Sequence, residues 1–395
     1  MNVVYAREPL PTDVTSMIFL AGPTPRDKNV ASWRGQALEE LARQGYTGTV
    51  FVPETREGTF NDWGHDDVYR DQVEWEEAAL NRSDCILFWI PRDMAIMPGM
   101  TTNTEWGVWH DSGRVVLGTP RGAHAVKYQQ YYAKKLMVPT AHTLAETVAH
   151  ALAMVGQGAR RTGGECHVPL NVWRHRTFEA WLAAQRWAGN TLNSARVLWT
   201  FRVGPKLDFV FCWALHVNVH VQAEDRDKTN EFVFGRTDMA AVVLWTPGPS
   251  GRFDSEARVV LVREFRSPSR SADCFVRELP GGSSKDTEEG TRSVAAHEVH
   301  EETGIEIDPS RLRFIDTRQP VATLSAHTIS LYACQLSVEE MARVELDAAN
   351  GEAHGVIEDS ERTYVEVRTL DQLLALPEVD WSTLGMITAA CMGAQ

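Results

Sequence analysis

Two groups of carboxylates in this sequence are spaced for chemistry. Glu298, Glu301 and Glu302 share one face of a helix, because residues three and four apart are helical neighbours. Gly304 follows as an expected C-cap, so three like charges crowd the last turn. That is the end where the helix dipole disfavours anions. A divalent cation would remove both penalties, and carboxylate oxygens suit Mg2+ or Mn2+. The alternative is a solvated acidic face. The second group centres on Glu105, in Thr101-Thr-Asn-Thr-Glu-Trp-Gly107, where a helix is expected to begin just beyond an apolar strand. Glu105 is either a functional carboxylate or the partner of Thr102 in a capping box. Glu76 lies one expected helix before that strand, and Asp84 closes the helix-to-strand turn as a structural cap or a ligand.

These residues need elements to hold them. Met17–Ala21, Thr49–Val52, Cys85–Ile90 and Val115–Leu117 are continuous apolar runs separated by amphipathic stretches. That pattern predicts parallel strands covered on both faces, a doubly wound Rossmann- or flavodoxin-like α/β domain, which binds ligands beyond the strand ends. Helices are expected near Val68–Leu80, from Glu105, and over Ala145–Val155. The Gly-rich stretch Gly156–Gly164 reads as a joint. After it come a helix near Phe178–Trp187 and Val- and Phe-rich strands from Ala195 onward, which predict a mixed sheet. A helix over Ser293–Glu302, strands near Thr328–Tyr332 and Tyr364–Val367, and a closing helix over Leu370–Leu376 complete the reading. The expected organisation is a first domain over 1–157, a linker and helical connection over 158–194, and a second domain over 195–395.

Composition removes whole classes of function. The chain has 395 residues, and at roughly 150 residues per domain that means two or three domains. A net charge of −14 argues against coating a nucleic acid polymer, which needs a basic face. With 43% hydrophobic and 23% charged residues the chain can bury cores, so global disorder is excluded. No apolar run reaches the roughly 20 residues of a membrane span, and the N-terminus lacks a signal-peptide pattern. The six cysteines form no C-x-x-C pair, so reduced thiols and a cytoplasmic location are expected. His216 and His220 alternate onto one strand face, as a metal pair or as ordinary strand histidines.

Gly281 to Ile305 resembles the Nudix box, the signature of Nudix hydrolases, with Glu289, Glu298, Val299, Glu301, Glu302, Gly304 and Ile305 in register. Six residues rather than five separate Gly282 from Glu289, and His297 stands where the family has arginine. Glu278-Leu-Pro-Gly-Gly282 and Leu261-Val-Arg-Glu-Phe-Arg266 are similar to the approach and strand of ADP-ribose-type pyrophosphatases. The resemblance spans about residues 195–380. It implies an α/β/α sandwich, hydrolysis of a nucleoside diphosphate derivative, metal ligation by Glu298, Glu301 and Glu302 with Glu289 as a fourth, and Glu302 in catalysis. Glu278 would add a carboxylate or bind substrate. A general base would come from the loop holding Glu352, His354, Glu358 and Glu361.

Phe19-Leu-Ala-Gly-Pro23, Trp75-Glu76 with Ser83–Pro91, and Pro98–Gly107 together resemble the nucleoside deoxyribosyltransferases and their N-glycosidase relatives, over about residues 15–155. That likeness implies Glu105 as the nucleophile on the anomeric carbon and Glu76 as the acid that handles the base. Gly22, Arg26 and Asp84 are implied substrate-binding positions, with Arg26 a phosphate ligand or a solvated loop arginine. Breaking an N-glycosidic bond builds oxocarbenium character that one carboxylate can trap while another protonates the departing base. Trp63, Trp75, Trp89, Trp106 and Trp109 are core residues or stack on a base. The expected protein is thus a bifunctional enzyme acting on a small nucleotide with Mg2+ or Mn2+, and a homo-oligomer if it assembles as the transferases do. The alternative is one catalytic domain joined to a nucleotide-sensing or scaffolding module.

Overall fold

The apolar runs of the first half become the interior of a parallel sheet. In a computed structural model, which describes residues 1–26, 29–56, 66–283, 290–355 and 361–393, the chain divides into two compact units, Met1–Gly235 and Arg236–Gln395. The first unit runs β1 (Asn2–Tyr5), β2 (Asp13–Val14), β3 (Met17–Ala21), α1 (Trp33–Arg43), β4 (Thr49–Val52), α2 (Asp66–Arg82), β5 (Cys85–Trp89) and α3 (Met100–Trp109). It continues through β6 (Val115–Gly118), α4 (Lys127–Lys135), β7 (Thr140–Ala141), α5 (Leu144–Val155), β8 (Arg161–Thr162), α6 (Leu170–Trp173) and α7 (Arg176–Trp187). It closes with β9 (Thr191–Val203), β10 (Phe209–Val221) and β11 (Arg226–Arg236).

The strand order is β1-β4-β3-β5-β6-β7, with every pairing parallel. All residues of β3, β4, β5 and β6 are buried. Alternation along each strand sends Phe19, Phe51 and Phe88 to a core with Trp75 of α2 and Trp106 of α3. Leu20, Val52 and Leu87 join a second core with Leu41 of α1 and Val148 of α5. Helices therefore cover both faces, as a run of continuously apolar parallel strands requires. From β3 the chain steps to β4 on one side and later to β5 on the other. The order reverses there, so a crevice is expected beyond Gly22 and Trp89.

Residues 158–194, expected as linker and connection, instead pack into the first unit. Arg161 is fully buried, and Cys166, Val168, Leu170 and Val172 are core. Glycine and arginine read as solvent-facing because the sequence does not show the carboxylate that consumes the guanidinium. The strands from Thr191 to Arg236 form their own three-stranded sheet, β11-β10-β9, around buried Trp213. The compact boundary therefore falls at 235/236 rather than 194/195.

The second unit runs β12 (Met239–Thr246), β13 (Arg258–Phe265), β14 (Phe275–Glu278), β15 (Gly281–Gly282), α8 (Thr291–Thr303), β16 (Arg313–Arg318) and β17 (Ile329–Gln335). Then come α9 (Val338–Asn350), β18 (Ala353–His354), β19 (Thr363–Thr369), α10 (Leu370–Ala375) and α11 (Trp381–Gly393). Its sheet order is β16-β17-β12-β13-β19-β18, with β12 parallel to β17 and antiparallel to β13. Val294 and Val299 of α8 with Met341 and Val344 of α9 cover one face. Leu373 of α10 and Ile387 of α11 cover the other. The expected mixed-sheet sandwich forms, with one helix, α11, that the reading of the chain end did not contain. No helix among the described residues is long and apolar enough to cross a membrane.

Candidate functional site

The chain leaves β3 through Gly22, whose φ of +152° and tight surroundings exclude a side chain. A Cβ there would come within 2.1 Å of the Trp89 carbonyl oxygen and 2.8 Å of the Trp33 ring. Gly22 thus closes the mouth of β3 against β5 by backbone contact. Arg34 of α1, 2% exposed, ties the same loop together. It donates to the carbonyls of Leu20 (3.1 Å) and Gly22 (2.7 Å), to Thr24 Oγ1 (3.1 Å) and to Glu54 (2.5 Å). Sequence reasoning missed Arg34. Its signal was an arginine beside Trp33 on the inward side of an amphipathic helix.

Glu76 of α2 and Glu105 of α3 meet electrostatically beside this loop. Burial pushes the Glu105 carboxyl up to about 8; the Glu76 charge adds to the rise and Arg34 opposes it. Glu76 is raised by burial too, against the 2.7 Å bond from the Gln72 amide and the charge of Arg34. The capping alternative for Glu105 does not hold. α3 begins at Met100 with Gly99 as its N-cap and no side-chain cap, so Thr102 is already inside the helix and buried. Glu105 therefore sits in the second turn, with no hydrogen bond to its carboxylate among the described residues.

Asp84 is not a substrate ligand. It lies at the N-terminal ends of β3 and β5, the edge opposite Gly22, with a fully buried side chain. Its oxygens accept from Arg161 at 2.7 and 2.6 Å and from the backbone N–H of Met17 (2.7 Å) and Leu170 (2.8 Å). Every lone pair that would reach a ligand is consumed by the fold. Arg26 is exposed on the loop after β3, with its N–H on the Ile96 carbonyl at 2.9 Å. Trp75, Trp89 and Trp106 are core residues. Trp109 packs against the same core as Trp106, and Trp63 lies outside the described residues.

In the second unit, Glu302 is 3% exposed and accepts the Gly281 N–H at 2.8 Å. Burial holds its carboxyl well above the usual range; that bond pulls it down, and the charges of Glu298, Glu361 and Glu278 raise it. One carboxylate oxygen each from Glu264, Glu302 and Glu361 lies within 4.8 Å of the others, a spacing and donor set that fit one hard divalent cation. Glu298 stands over β15, where a Cβ on Gly282 would fall 2.4 Å from its carboxyl carbon. Arg266 binds Glu278 (2.6 Å) and contacts Glu264 (2.8 Å). Burial works against its charge, but those carboxylates and Glu302 hold it more tightly protonated than usual.

Of the expected ligands, the fold brings Glu302 and Glu298 to this cluster. Glu301 is turned to His297 at 3.4 Å, while its carbonyl accepts the Gly355 N–H. Glu289 and Glu358 lie outside the described residues. From the loop proposed to hold a base, Glu361 joins the cluster, whereas Glu352 is exposed. Glu264 was missed although its strand had been singled out. The signal was a glutamate between Arg263 and Arg266 at the end of a strand whose Val259–Val262 run is buried. His216 and His220 do not pair: the first packs on Phe232, the second on Asp227 at 3.0 Å.

No curated protein matches the chain. Residues 15–123, which hold Gly22, Arg34, Glu76 and Glu105, match the family model described as "Nucleoside 2-deoxyribosyltransferase like". The first unit therefore carries a domain similar to that family.

Proposed function

We propose that the chain processes nucleotides with two chemistries, cleaving or exchanging an N-glycosidic bond in the first unit and a diphosphate in the second. The observation that carries the first is the Glu76–Glu105 pair at the reversal of the strand order, held next to an arginine whose donors are committed to the loop. At neutral pH the two carboxyls share one proton, because like charges at close range do not both ionise freely. Oxocarbenium character at the sugar favours Glu105 as the ionised member. Its oxygen bonds to the anomeric carbon as the carbon–nitrogen bond breaks, and Glu76 gives the shared proton to the leaving base. Water or a second base then releases the sugar from Glu105.

In the second unit Glu264, Glu302 and Glu361 would hold Mg2+ or Mn2+, with Glu298 beside them. When bound, the cation neutralises phosphate charge and lowers the pKa of a water. Glu278 and Arg266 position that carboxylate set, and Gly281 orients Glu302 through its N–H. The Nudix-like spacing of α8 supports this reading, and the His297 departure supports the second one, in which this unit senses nucleotides without turnover.

The deciding experiment incubates the protein with Mg2+ and nucleotide sugars, ADP-ribose, nucleoside monophosphates and nucleosides, following free base and phosphate products by chromatography. Free base from at least one substrate supports the first unit's activity, and none from any substrate refutes it. Unchanged diphosphate substrates would leave the second unit as a sensor.

A further inference from the structure

The sheet of the second unit ends differently at its two edges. At β16 the edge is blunted by its own side chain, because Asp316 accepts the Thr317 N–H at 2.8 Å. At the other edge β18 covers only the start of β19, pairing Ala353 with Tyr364 and His354 with Thr363. That ladder stops there, since the preceding Glu352 gives its N–H to the Asp347 carbonyl of α9 at 3.4 Å. From Val365 to Thr369, β19 runs on with no strand beside it among the described residues.

The register fixes where its main-chain groups point. β13 and β19 are antiparallel, with Val260 opposite Val367 and Val262 opposite Val365. The Leu370 N–H donates to the Ala257 carbonyl at 3.2 Å, one step beyond the Arg258–Thr369 pair of that ladder. Bonded and unbonded pairs alternate in an antiparallel ladder. Glu366 and Arg368 therefore bond to β13, while the N–H and C=O of Val365 and Val367 point out of the sheet. Among the described residues these outward groups meet one donor, Arg368 Nη1, at 3.4 Å from the Val367 carbonyl.

A groove of about 410 Å³ follows this open stretch, walled by β19, by Glu345 and Ala348 of α9, and by Gln372 of α10. Its charges cancel: Arg258 pairs with Glu345 at 2.5 Å and Arg368 with Glu366 at 2.9 Å. Balanced charge beside free main-chain groups suits an added strand rather than a lone ion. The helices that flank the edge leave Leu346 of α9 61% exposed and Leu374 of α10 65% exposed.

The residues of the edge select the strand. Glu366-Val367-Arg368 is self-complementary about a two-fold axis through Val367 and normal to the sheet. Two copies set antiparallel on that axis bring Val367 opposite Val367, each N–H donating to the other's carbonyl. Glu366 of each copy then faces Arg368 of the other, in an unbonded pair where cross-strand side chains come closest. Charged edges ordinarily keep neighbours away. Opposite charges two residues apart reverse that effect for an identical strand. A centre at Val365 would collide with the residues paired to β18, and one at Thr369 would need an N–H already held by the Gln372 side chain at 3.0 Å. We infer that two copies of this chain join through their β19 edges into one continuous sheet, an isologous dimer. The Thr363 hydroxyl of the same strand donates to the Glu302 carbonyl at 3.1 Å, so the joint lies on an element of the carboxylate cluster. It requires neither of the proposed activities.

Sedimentation velocity on the full chain, with hydrogen–deuterium exchange at the same concentrations, tests it. A dimer of twice 44.2 kDa is expected at micromolar concentration, with exchange at Val365 and Val367 slowing as it forms. Glu366→Arg or Arg368→Glu alone should weaken association by about tenfold or more, because each sets like charges opposite one another. An equimolar mixture of these two variants should form a mixed dimer again. The pair within each variant chain stays like-charged in that mixture, so recovery reports only the contact between chains. Val367→Pro removes the central N–H at an edge position where proline is tolerated, and should abolish the dimer without unfolding the chain. A monomer at every concentration overturns the inference. So does a dimer whose Val365 and Val367 amides exchange as in the monomer, one that survives the single reversals or Val367→Pro, or a mixture no tighter than its components.

Discussion

The two units solve the problem of buried negative charge in opposite ways. The first sets Glu76 against Glu105 at its candidate site and spends the nearby cation, Arg34, on backbone carbonyls and Glu54. The second gathers Glu264, Glu278, Glu298, Glu302 and Glu361, with Arg266 satisfying at most two of them. A pair can settle its repulsion by sharing a proton. A group of five repels itself more strongly, and on the proposed reading a divalent cation would offset that charge. Under the proposed functions, carboxylate number, more than carboxylate identity, would separate proton-transfer and covalent chemistry from metal-assisted hydrolysis.

The sharpest way to break this comparison is to swap the insults. Glu302→Gln or removal of divalent metal with EDTA should lower phosphate-product release by about a thousandfold or more while leaving free-base release unchanged. Glu105→Gln should do the reverse, with a loss of similar order in base release. Loss of base release on chelation would show that the first unit also depends on metal, and the contrast would fail.

A second test concerns the opposite edge of the same sheet. Asp84 is a carboxylate as buried as any in the chain, but Arg161 and two backbone N–H groups satisfy it fully. Arg161→Ala leaves that charge without its counter-ion and should cost about 3–5 kcal/mol of stability, measured by urea denaturation. A cost below about 1 kcal/mol would mean that the clasp does not organise the strand ends.

Much of this was legible in the sequence. Continuous apolar runs disclosed the parallel sheet because burial on both faces leaves no alternation to hide. Glu298 and Glu302 could be put forward as candidates because helical spacing is a local property, and Glu105 because it follows an apolar strand in a motif that resembles a known family. Asp84 stayed open between structural cap and ligand because its partner Arg161 lies far along the chain, inside a stretch whose glycines suggested a linker. Arg34 and Glu264 went unseen for a related reason: each depends on contacts beyond its own element. Local spacing also misplaced the start of α3, where Gly99 rather than Thr102 caps the helix.

The shared proton has a signature in pH. The rate of base release should fall above about pH 8, where the pair loses its last proton. Glu76→Gln removes the neighbouring charge that raises Glu105, so the Glu105 carboxyl should ionise at lower pH and that descending limb should vanish. Stability carries the same sign. A carboxyl raised on folding stabilises below its unfolded value near 4.5, and that contribution is lost as pH rises through about 8. Glu105→Gln should therefore melt as the native chain does at pH 5. At pH 9 it should gain on the order of 3 kcal/mol, discounted for the partial exposure of the side chain. Equal melting at both values would show that Glu105 is not held protonated.

The smallest effect expected lies on α8. His297 is largely exposed and meets Glu301 at 3.4 Å, a contact that charges only when the ring is protonated. An arginine there would be charged at every working pH and present a planar fork, so it would hold Glu301 in one orientation. If the second unit is catalytic, His297→Arg should raise phosphate-product release by about two- to tenfold, because the planar fork holds Glu301 in one orientation. No gain would place Glu301 outside the catalytic set and leave the buried cluster around Glu302 to act without it.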